Sequence, residues 1–157
     1  MLSFKEDLAS TPVSALATRE AIVVQPGTVV RAAIAQMRAH SLGCAVIVDY
    51  SQHPIGIFTE QSIIKLLARG VSLDNCPVQD FADPTFLSVN HADPIEHVWD
   101  AIQQDGVRFV CVIDDDGKLI GITGQRGVAE YVADCFATQV TVQRLGSTPW
   151  MQQREGA

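Results

Sequence analysis

The spacing of apolar residues changes abruptly within the stretch 54–70. Ile55 and Ile57 recur with the two-residue period of a strand. Thr59 then stands at the position of a helix N-cap, and Gly70 at that of a C-cap. Between the two caps, apolar residues recur at helical spacing: Ile63, Ile64, Leu66 and Leu67. The pattern predicts a short strand that runs straight into a helix, and the N-terminus of such a helix favours an anion.

This pattern occurs twice in the chain. A second stretch, Ile-Gly-Ile-Thr-Gly-Gln-Arg-Gly, begins at Ile120, so that Gly121 repeats Gly56 after 65 positions. The same offset holds without a gap along most of the chain: Pro12 matches Pro77, Val24 matches Val89, Val30 matches Ile95, Met37 matches Ile102, and Asp49 matches Asp114. The chain therefore consists of two copies of one unit.

Each copy is predicted to contain the same five elements in the order strand, helix, strand, strand, helix. Such a unit has only two helices, so one face of its sheet stays open. Two copies can bury their open faces against each other. The sequence therefore predicts an α+β fold with a first unit over residues 1–70, a second over 71–136, and a C-terminal extension over 137–157.

Capping and turn residues mark where the predicted elements begin. Thr28 is the predicted N-cap of the second helix, after a short lead-in helix over 4–8. Asp93 is the predicted N-cap of its counterpart, with Pro94 in the first helical position. Residues 115–118, Asp-Asp-Gly-Lys, predict a hairpin turn, which would make the flanking strands antiparallel.

The chain beyond the repeat carries two further signals. Residues 138–143 alternate between apolar and polar side chains, which predicts an additional strand. Trp150 and Met151 follow in an otherwise polar tail. Two interpretations stay open for this tail: an unstructured end, or an arm that docks on its own domain or on a second subunit.

Composition narrows the possible functions. The chain has 157 residues, of which 47% are hydrophobic, and a net charge of −7. This apolar content suffices for a compact core, and the negative charge disfavours nucleic acid as a partner. No stretch approaches the roughly 20 apolar residues of a membrane span, and the N-terminus lacks a signal-peptide pattern. We therefore expect a cytoplasmic protein without a membrane partner.

The cysteines and histidines do not form a metal-binding pattern. No Cys-x-x-Cys pair occurs among the four cysteines: Cys44, Cys76, Cys111 and Cys135. Because Cys44 and Cys111 lie within apolar strand patterns, we expect reduced thiols that fill the core. The four histidines are scattered without the spacing of metal ligands. The sequence therefore predicts no metal site.

The repeated unit resembles a known domain. The resemblance is carried by residues 43–49 with 54–64, and by their counterparts 108–114 with 119–128. Together they resemble a tandem pair of cystathionine β-synthase (CBS) domains, also called a Bateman module. The resemblance implies two domains packed through their sheets as a pseudo-two-fold disc, and commonly a homodimer of discs. It also implies clefts between the domains that bind adenosine nucleotides.

The family's ligand motif is Gly, two mostly apolar residues, Thr or Ser, two residues of any kind, and Asp. In the family the hydroxyl contacts phosphate and the Asp holds the ribose. In the first copy Gly56 and Thr59 match the motif, but Ser62 replaces the Asp. Because charge-assisted hydrogen bonds are about twice as strong as neutral ones, Ser62 is expected to weaken ribose binding. Thr59 also has a simpler interpretation as a helix N-cap.

The resemblance implies a ligand site in the first cleft. Thr59 would hold phosphate there, and Ser62 would touch the ribose. Backbone around Ala21 and around Gly43, Cys44 and Ala45 would line the adenine.

The second copy has lost both side chains of the motif. Gly124 replaces the Thr or Ser, and Gly127 replaces the Asp. These glycines either open space for a larger ligand or mark a lost site. Arg108 begins a buried strand, and Arg126 lies at the start of the last helix. Both arginines could meet a phosphate in a cleft, and the alternative is that they are solvated surface residues.

The resemblance and the half-kept motif predict a non-enzymatic regulatory sensor. It would bind AMP, ADP, ATP or S-adenosylmethionine weakly or at one site, form a homodimer, and act on an effector protein. The alternative is a ligand-independent module for dimerisation or protein interaction. An enzyme is disfavoured, because the sequence shows no nucleophile–base arrangement, metal cluster or P-loop motif.

Overall fold

The computed structural model describes residues 3–83 and 85–146 of the chain, with side chains described as far as residue 137. The helices are α1 Phe4–Ser10, α2 Val30–Ala39, α3 Glu60–Ala68, α4 Ile95–Asp105 and α5 Gln125–Gly146. The strands are β1 Val23–Val24, β2 Cys44–Val48, β3 Pro54–Thr59, β4 Leu87–Asn90, β5 Phe109–Ile113 and β6 Leu119–Gly124. The predicted α+β fold of two repeated units is confirmed. Trp150 and Met151 lie outside the described residues.

Both units form the same three-stranded sheet. In the first, β1 pairs parallel with β2, and β2 pairs antiparallel with β3. In the second, β4, β5 and β6 repeat this order and these directions. The antiparallel pairing of β5 with β6 confirms the hairpin predicted over 115–118. Gly117 in that turn has a φ of 79°, a left-handed conformation that glycine adopts without strain.

Contacts between the units repeat with the same offset as the sequence. Pro12 bridges to Pro94, and the equivalent residue of each makes the equivalent bridge, between Pro77 and Val29. Each unit therefore makes the same contact with the other unit. Such reciprocal contacts are typical of a pseudo-two-fold arrangement.

The sheets meet face to face in the core. Cys44 of β2 and Cys111 of β5 are fully buried in one apolar cluster, which also contains Ile122 of β6. Burial raises the pKa of both thiols to about 12, because a low-dielectric surrounding disfavours the thiolate. The two groups therefore remain neutral and fill core space, as the sequence predicts. Cys135 is half-buried.

The apolar stripes of the helices face this cluster or, for α4, a second apolar cluster, and α3 is a partial exception. In α4, Ile95 and Val98 are fully buried, and Trp99 is partly buried against Phe4 of α1 with ring centroids 5.7 Å apart. In α3, however, Leu66 is buried whereas Ile64 and Leu67 are exposed. Four apolar residues at i, i+1, i+3 and i+4 span too wide an arc for a helix that covers the sheet with one side.

The predicted N-caps of α2 and α4 are wrong. Thr28 Oγ1 accepts a hydrogen bond from the N–H of Gln25, and Asp93 Oδ2 accepts one from the N–H of Asn90, so both side chains close turns that precede the helices. The helices begin two residues later, at Val30 and Ile95.

The backbone of the opposite unit takes the place of these caps. The N–H of Val30 donates to the Cys76 carbonyl, and the N–H of Ile95 donates to the Thr11 carbonyl, both over 2.9 Å. The first N–H groups of a helix need hydrogen-bond acceptors from outside the helix. Packing of the two units supplies these acceptors, which Thr28 and Asp93 were predicted to supply locally.

The strand predicted over 138–143 is wrong, because α5 continues through this segment to Gly146. Alternating β-branched residues lower helix propensity by only a few tenths of a kcal/mol each. Extending an existing helix requires no new nucleus. The boundary predicted at residue 137 therefore falls within one continuous helix. Across the described residues, none of the helices combines the length and apolar character needed to cross a bilayer.

His53 connects the turns of the two units. Its Nδ1 lies 3.2 Å from Asp49 Oδ2, and its Nε2 lies 3.0 Å from the Asp116 carbonyl oxygen. The Asp116 carbonyl, followed by the Asp49 carboxylate, raises the pKa of His53, because both accept hydrogen bonds from the imidazolium. The positive charge of Lys118 opposes this shift. The imidazole ring of His53 thus links the first unit to the second.

We expect His53 to stabilise the fold more at pH 6 than at pH 8. Because its folded pKa is raised, its contribution is fully present below the unfolded pKa of about 6.5 and is lost as the pH rises through the folded pKa. Melting temperatures of the unaltered protein and of His53→Gln should therefore differ most at low pH and converge at high pH. His40→Gln, at an exposed position after α2, serves as control. A difference that grows with pH would contradict this assignment.

Candidate functional site

A cleft of about 880 Å³ lies between the two units. The first unit contributes the segment before β1, the end of α2 and the start of α3: Ala17, Arg19, Ile34, Met37, Arg38, Ser41, Leu42, Gly43, Glu60 and Ile63. The second unit contributes the start of β5, the end of β6 and the start of α5: Arg108, Phe109, Ile122, Thr123, Gly124, Gln125, Arg126, Gly127 and Glu130. Its volume is within the range of about 300–1,000 Å³ that small-molecule sites occupy.

Four arginines line this cleft. Arg19 and Arg38 come from the first unit, and Arg108 and Arg126 from the second. The two carboxylates of the lining are Glu60 and a glutamate on α5, Glu130. The cleft therefore carries a net positive charge in a chain whose net charge is −7, and such a concentration of one sign attracts anions.

Two of these arginines are held by glutamates. Arg108 Nη1 lies 3.1 Å from Glu60 Oε2, which joins the two units across the cleft. Arg126 Nε lies 3.1 Å from Glu130 Oε1, one turn along α5. Both arginine side chains are largely exposed, at 64% and 74%. Exposed ion pairs contribute only about 0–1 kcal/mol, so a bound anion can replace either glutamate at little cost.

The guanidinium of Arg108 also stacks over an aromatic ring. Its Cζ lies 5.2 Å from the ring centroid of Phe109. This cation–π contact holds the side chain near the cleft when its ion pair opens. Arg108 is therefore positioned by two independent contacts.

The glycines of the second motif allow close packing and do not enlarge the cleft. A Cβ at Gly124 would collide with the carbonyl oxygen of Arg108. A Cβ at Gly127 would lie 2.9 Å from the carbonyl oxygen of Ala17 and would also collide with Thr123 Oγ1. The space that a side chain would need at both positions is filled by the protein's own backbone.

Thr123 ties the two units together at the base of the cleft. Its side chain is buried, and its hydroxyl donates a hydrogen bond of 3.2 Å to the carbonyl oxygen of Ala17. Beside it, Arg19 exchanges backbone hydrogen bonds with Ile122. The segment 17–19 is thus fixed to β6, which brings the Arg19 side chain to the cleft.

Thr59 and Ser62 form a capping box at the start of α3. The N–H of Ser62 donates to Thr59 Oγ1 over 3.3 Å, and the N–H of Thr59 donates to Ser62 Oγ over 3.1 Å. Ser62 is only 4% exposed. Neither residue lines the cleft described above, so the helix-capping interpretation of Thr59 describes its observed contacts.

The other predicted site residues fall in different places. Gly43 lines the cleft together with Arg108 and Arg126, whereas Cys44 and Ala45 are buried in the sheet beside it. Ala21 lines a second cavity of about 380 Å³, which shares Arg19 and Leu42 with the main cleft. The structure therefore brings three of the eight predicted residues together in one cleft.

Sequence reasoning missed Arg19 and Arg38. Neither belongs to the repeated motif: Arg19 precedes β1, and Arg38 lies in the last turn of α2. Neither guanidinium has a hydrogen-bond or ion-pair partner among the residues that the structure describes. The sequence offered only their residue type as a signal of an anion site. Four of the chain's eleven basic residues, all of them arginines, line this one cleft.

The fold and the cleft are those of a tandem domain pair. Comparison with known proteins identifies the family to which these domains belong. The chain belongs to the CBS domain family, which matches residues 13–69 and 78–134. A 17.7 kDa protein of Acidianus ambivalens is 30% identical over 130 residues, which cover 83% of this chain and 78% of that relative. The expected tandem CBS pair is confirmed.

Solved structures share the fold at lower identity. A CBS domain protein from Pyrobaculum aerophilum, complexed with AMP, is 21% identical with a TM-score of 0.68, over 74% of this chain and 89% of that one. The CBS domain pair of protein MJ0100, in complex with 5′-methylthioadenosine and S-adenosyl-L-methionine, is 19% identical with a TM-score of 0.69, over 79% and 97%. These similarities establish the architecture of the chain.

Proposed function

We propose that this protein is a regulatory module that binds an adenosine nucleotide in the arginine-lined cleft between its two CBS domains. The observation that carries the proposal is the cleft itself, where four arginines from both units meet in about 880 Å³. The similar structures that hold AMP, or S-adenosylmethionine with methylthioadenosine, support an adenosine ligand. AMP, ADP, ATP and S-adenosylmethionine are the ligands to test.

Binding would change how the two units are held together. In the structure, Glu60 of the first unit and Arg108 of the second form an ion pair across the cleft. A phosphate that takes Arg108 releases Glu60 and bridges the units itself. Ligand binding would thereby change the relative position of the two units. An effector protein or a second copy of the chain could recognise this change at their outer surfaces. Homodimerisation and a cytoplasmic location stay predictions.

The role we propose is non-catalytic. The ionisable groups of the cleft are arginines and glutamates, and the glutamates are engaged in ion pairs. The Thr123 hydroxyl donates to Ala17 and is not activated by a base. The alternative, a ligand-independent interaction module, has support from exposed Ile64 and Leu67 on α3, but it leaves the arginine cluster without a role.

Isothermal titration with the four ligands tests the proposal and locates the site. We expect at least one adenosine nucleotide to bind, and Arg108→Ala with Arg126→Ala to abolish binding. Thr59→Ala with Ser62→Ala should retain affinity and lower the free energy of unfolding by about 1–2 kcal/mol, because the capping box is lost. Arg69→Ala removes an arginine outside the cleft and serves as the matched control.

Two outcomes would contradict this proposal. Absence of binding by all four ligands at millimolar concentration would leave the proposed adenosine ligand without support. Binding that survives the double arginine change but is lost with Thr59→Ala and Ser62→Ala would place the ligand in the first cleft, where the motif resemblance puts it. A thermal-shift assay gives an independent readout, since a ligand at about 100 times its dissociation constant stabilises the fold by about 2.7 kcal/mol.

A further inference from the structure

The arginine cleft has more positive charge than its own carboxylates compensate. Arg108 and Arg126 are each paired with a glutamate. Arg19 and Arg38 line the same cleft and have no such partner within the described part of the chain. Unpaired like charges that share a concave site repel each other until an anion binds between them.

We propose that this cleft selects a ligand with a chain of two or more phosphate groups, and that Arg19 and Arg38 bind the phosphates beyond the first. The inference rests on the proposed function, because it concerns the ligand of the same cleft. It adds the chemical class, a nucleoside triphosphate or another linear polyphosphate in preference to a monophosphate. It also adds two specificity-determining residues outside the repeated motif.

The arginines are distributed around the cleft and do not converge from one element. Arg126 lies in the first turn of α5, Arg108 precedes β5, and Arg38 lies in the last turn of α2. Arg19 lines both the main cleft and the neighbouring cavity, so it stands where the two meet. Guanidinium groups from four separate elements of a cleft of about 880 Å³ offer binding positions for more than one anionic group. A phosphate chain places successive anionic groups along it.

The exposed glutamates make the cleft more selective for highly charged ligands. To reach Arg108 or Arg126, a ligand must compete with the carboxylate of Glu60 or Glu130. A triphosphate carries more charge than a monophosphate and presents more oxygens to planar guanidinium groups, which bind phosphate through paired hydrogen bonds. Removal of one competing carboxylate, as in Glu60→Gln, should therefore strengthen binding.

Titration calorimetry with adenosine, AMP, ADP, ATP and inorganic tripolyphosphate tests this inference, with EDTA present so that no metal ion neutralises the phosphates. We expect affinity to rise by about tenfold with each added phosphate, as each gains a charge-assisted hydrogen bond. Tripolyphosphate should bind, and adenosine should not. Arg19→Ala with Arg38→Ala should remove the gradient, lowering ATP affinity by about 100-fold and AMP affinity far less. Arg69→Ala should change none of these affinities.

The outcomes separate this inference from the proposed function. If AMP and ATP bind equally, the adenosine site stands and selection by phosphate number is overturned. If the gradient persists without Arg19 and Arg38, these residues are not the ones that read it. If no compound binds, both proposals fail. Should the double alanine variant melt early, Arg19→Gln and Arg38→Gln retain most of each side chain and remove only the charge.

Discussion

Gly124→Ala should lower the free energy of unfolding by about 3 kcal/mol. A methyl group at this position would collide with the Arg108 carbonyl oxygen, and backbone cannot rotate away as a side chain can. Overpacking in a closely packed region costs about 1–3 kcal/mol, and a collision with backbone lies at the upper end of that range. Urea unfolding followed by circular dichroism measures the change.

Gly27→Ala provides the matched control. A Cβ at Gly27 has no heavy atom within 4 Å, so the same substitution should be neutral or stabilise by up to about 1 kcal/mol through the unfolded chain. Equal effects of the two substitutions would show that Gly124 is not held against Arg108. The prediction also bears on the motif, since Gly124→Thr would restore a hydroxyl and yet damage the fold.

Phe58→Ala should destabilise the protein by about 3–5 kcal/mol. Phe58 is the last residue of β3 but one, is fully buried, and is among the largest side chains of the core cluster that the two units share. Its removal loses the transfer free energy of the ring and leaves a cavity that the surrounding sheet cannot fill. This loss is a large part of the about 5–15 kcal/mol that stabilises a typical domain.

Phe136→Ala is the corresponding control on the surface. The Phe136 side chain is 58% exposed on α5, and surface changes of this kind usually stay within about 0.5 kcal/mol. Denaturant midpoints at constant slope would measure both variants. A midpoint for Phe58→Ala close to that of the unaltered protein would mean that β3 does not carry the core of the first unit.

The sequence by itself determined the repeat, the order of its elements and the family. These features are encoded locally, since strand and helix periods, the Thr59 cap and the hairpin turn at Gly117 depend on neighbouring residues. An offset of 65 residues held without a gap makes each copy evidence for the other. Predictions from neighbouring residues were wrong where one side chain could make either of two local hydrogen bonds. Thr28, for example, closes a turn and does not cap α2.

The tertiary structure alone decided the composition of the cleft. Arg19, Arg38, Arg108 and Arg126 follow no common spacing, and only the packing of the two sheets brings them together. The helix starts at Val30 and Ile95 were likewise decided by carbonyl groups of the opposite unit. The physical reason is the same in both cases. Hydrogen bonds and charges that meet across the two units depend on the relative position of distant segments, which no periodic pattern along the chain records.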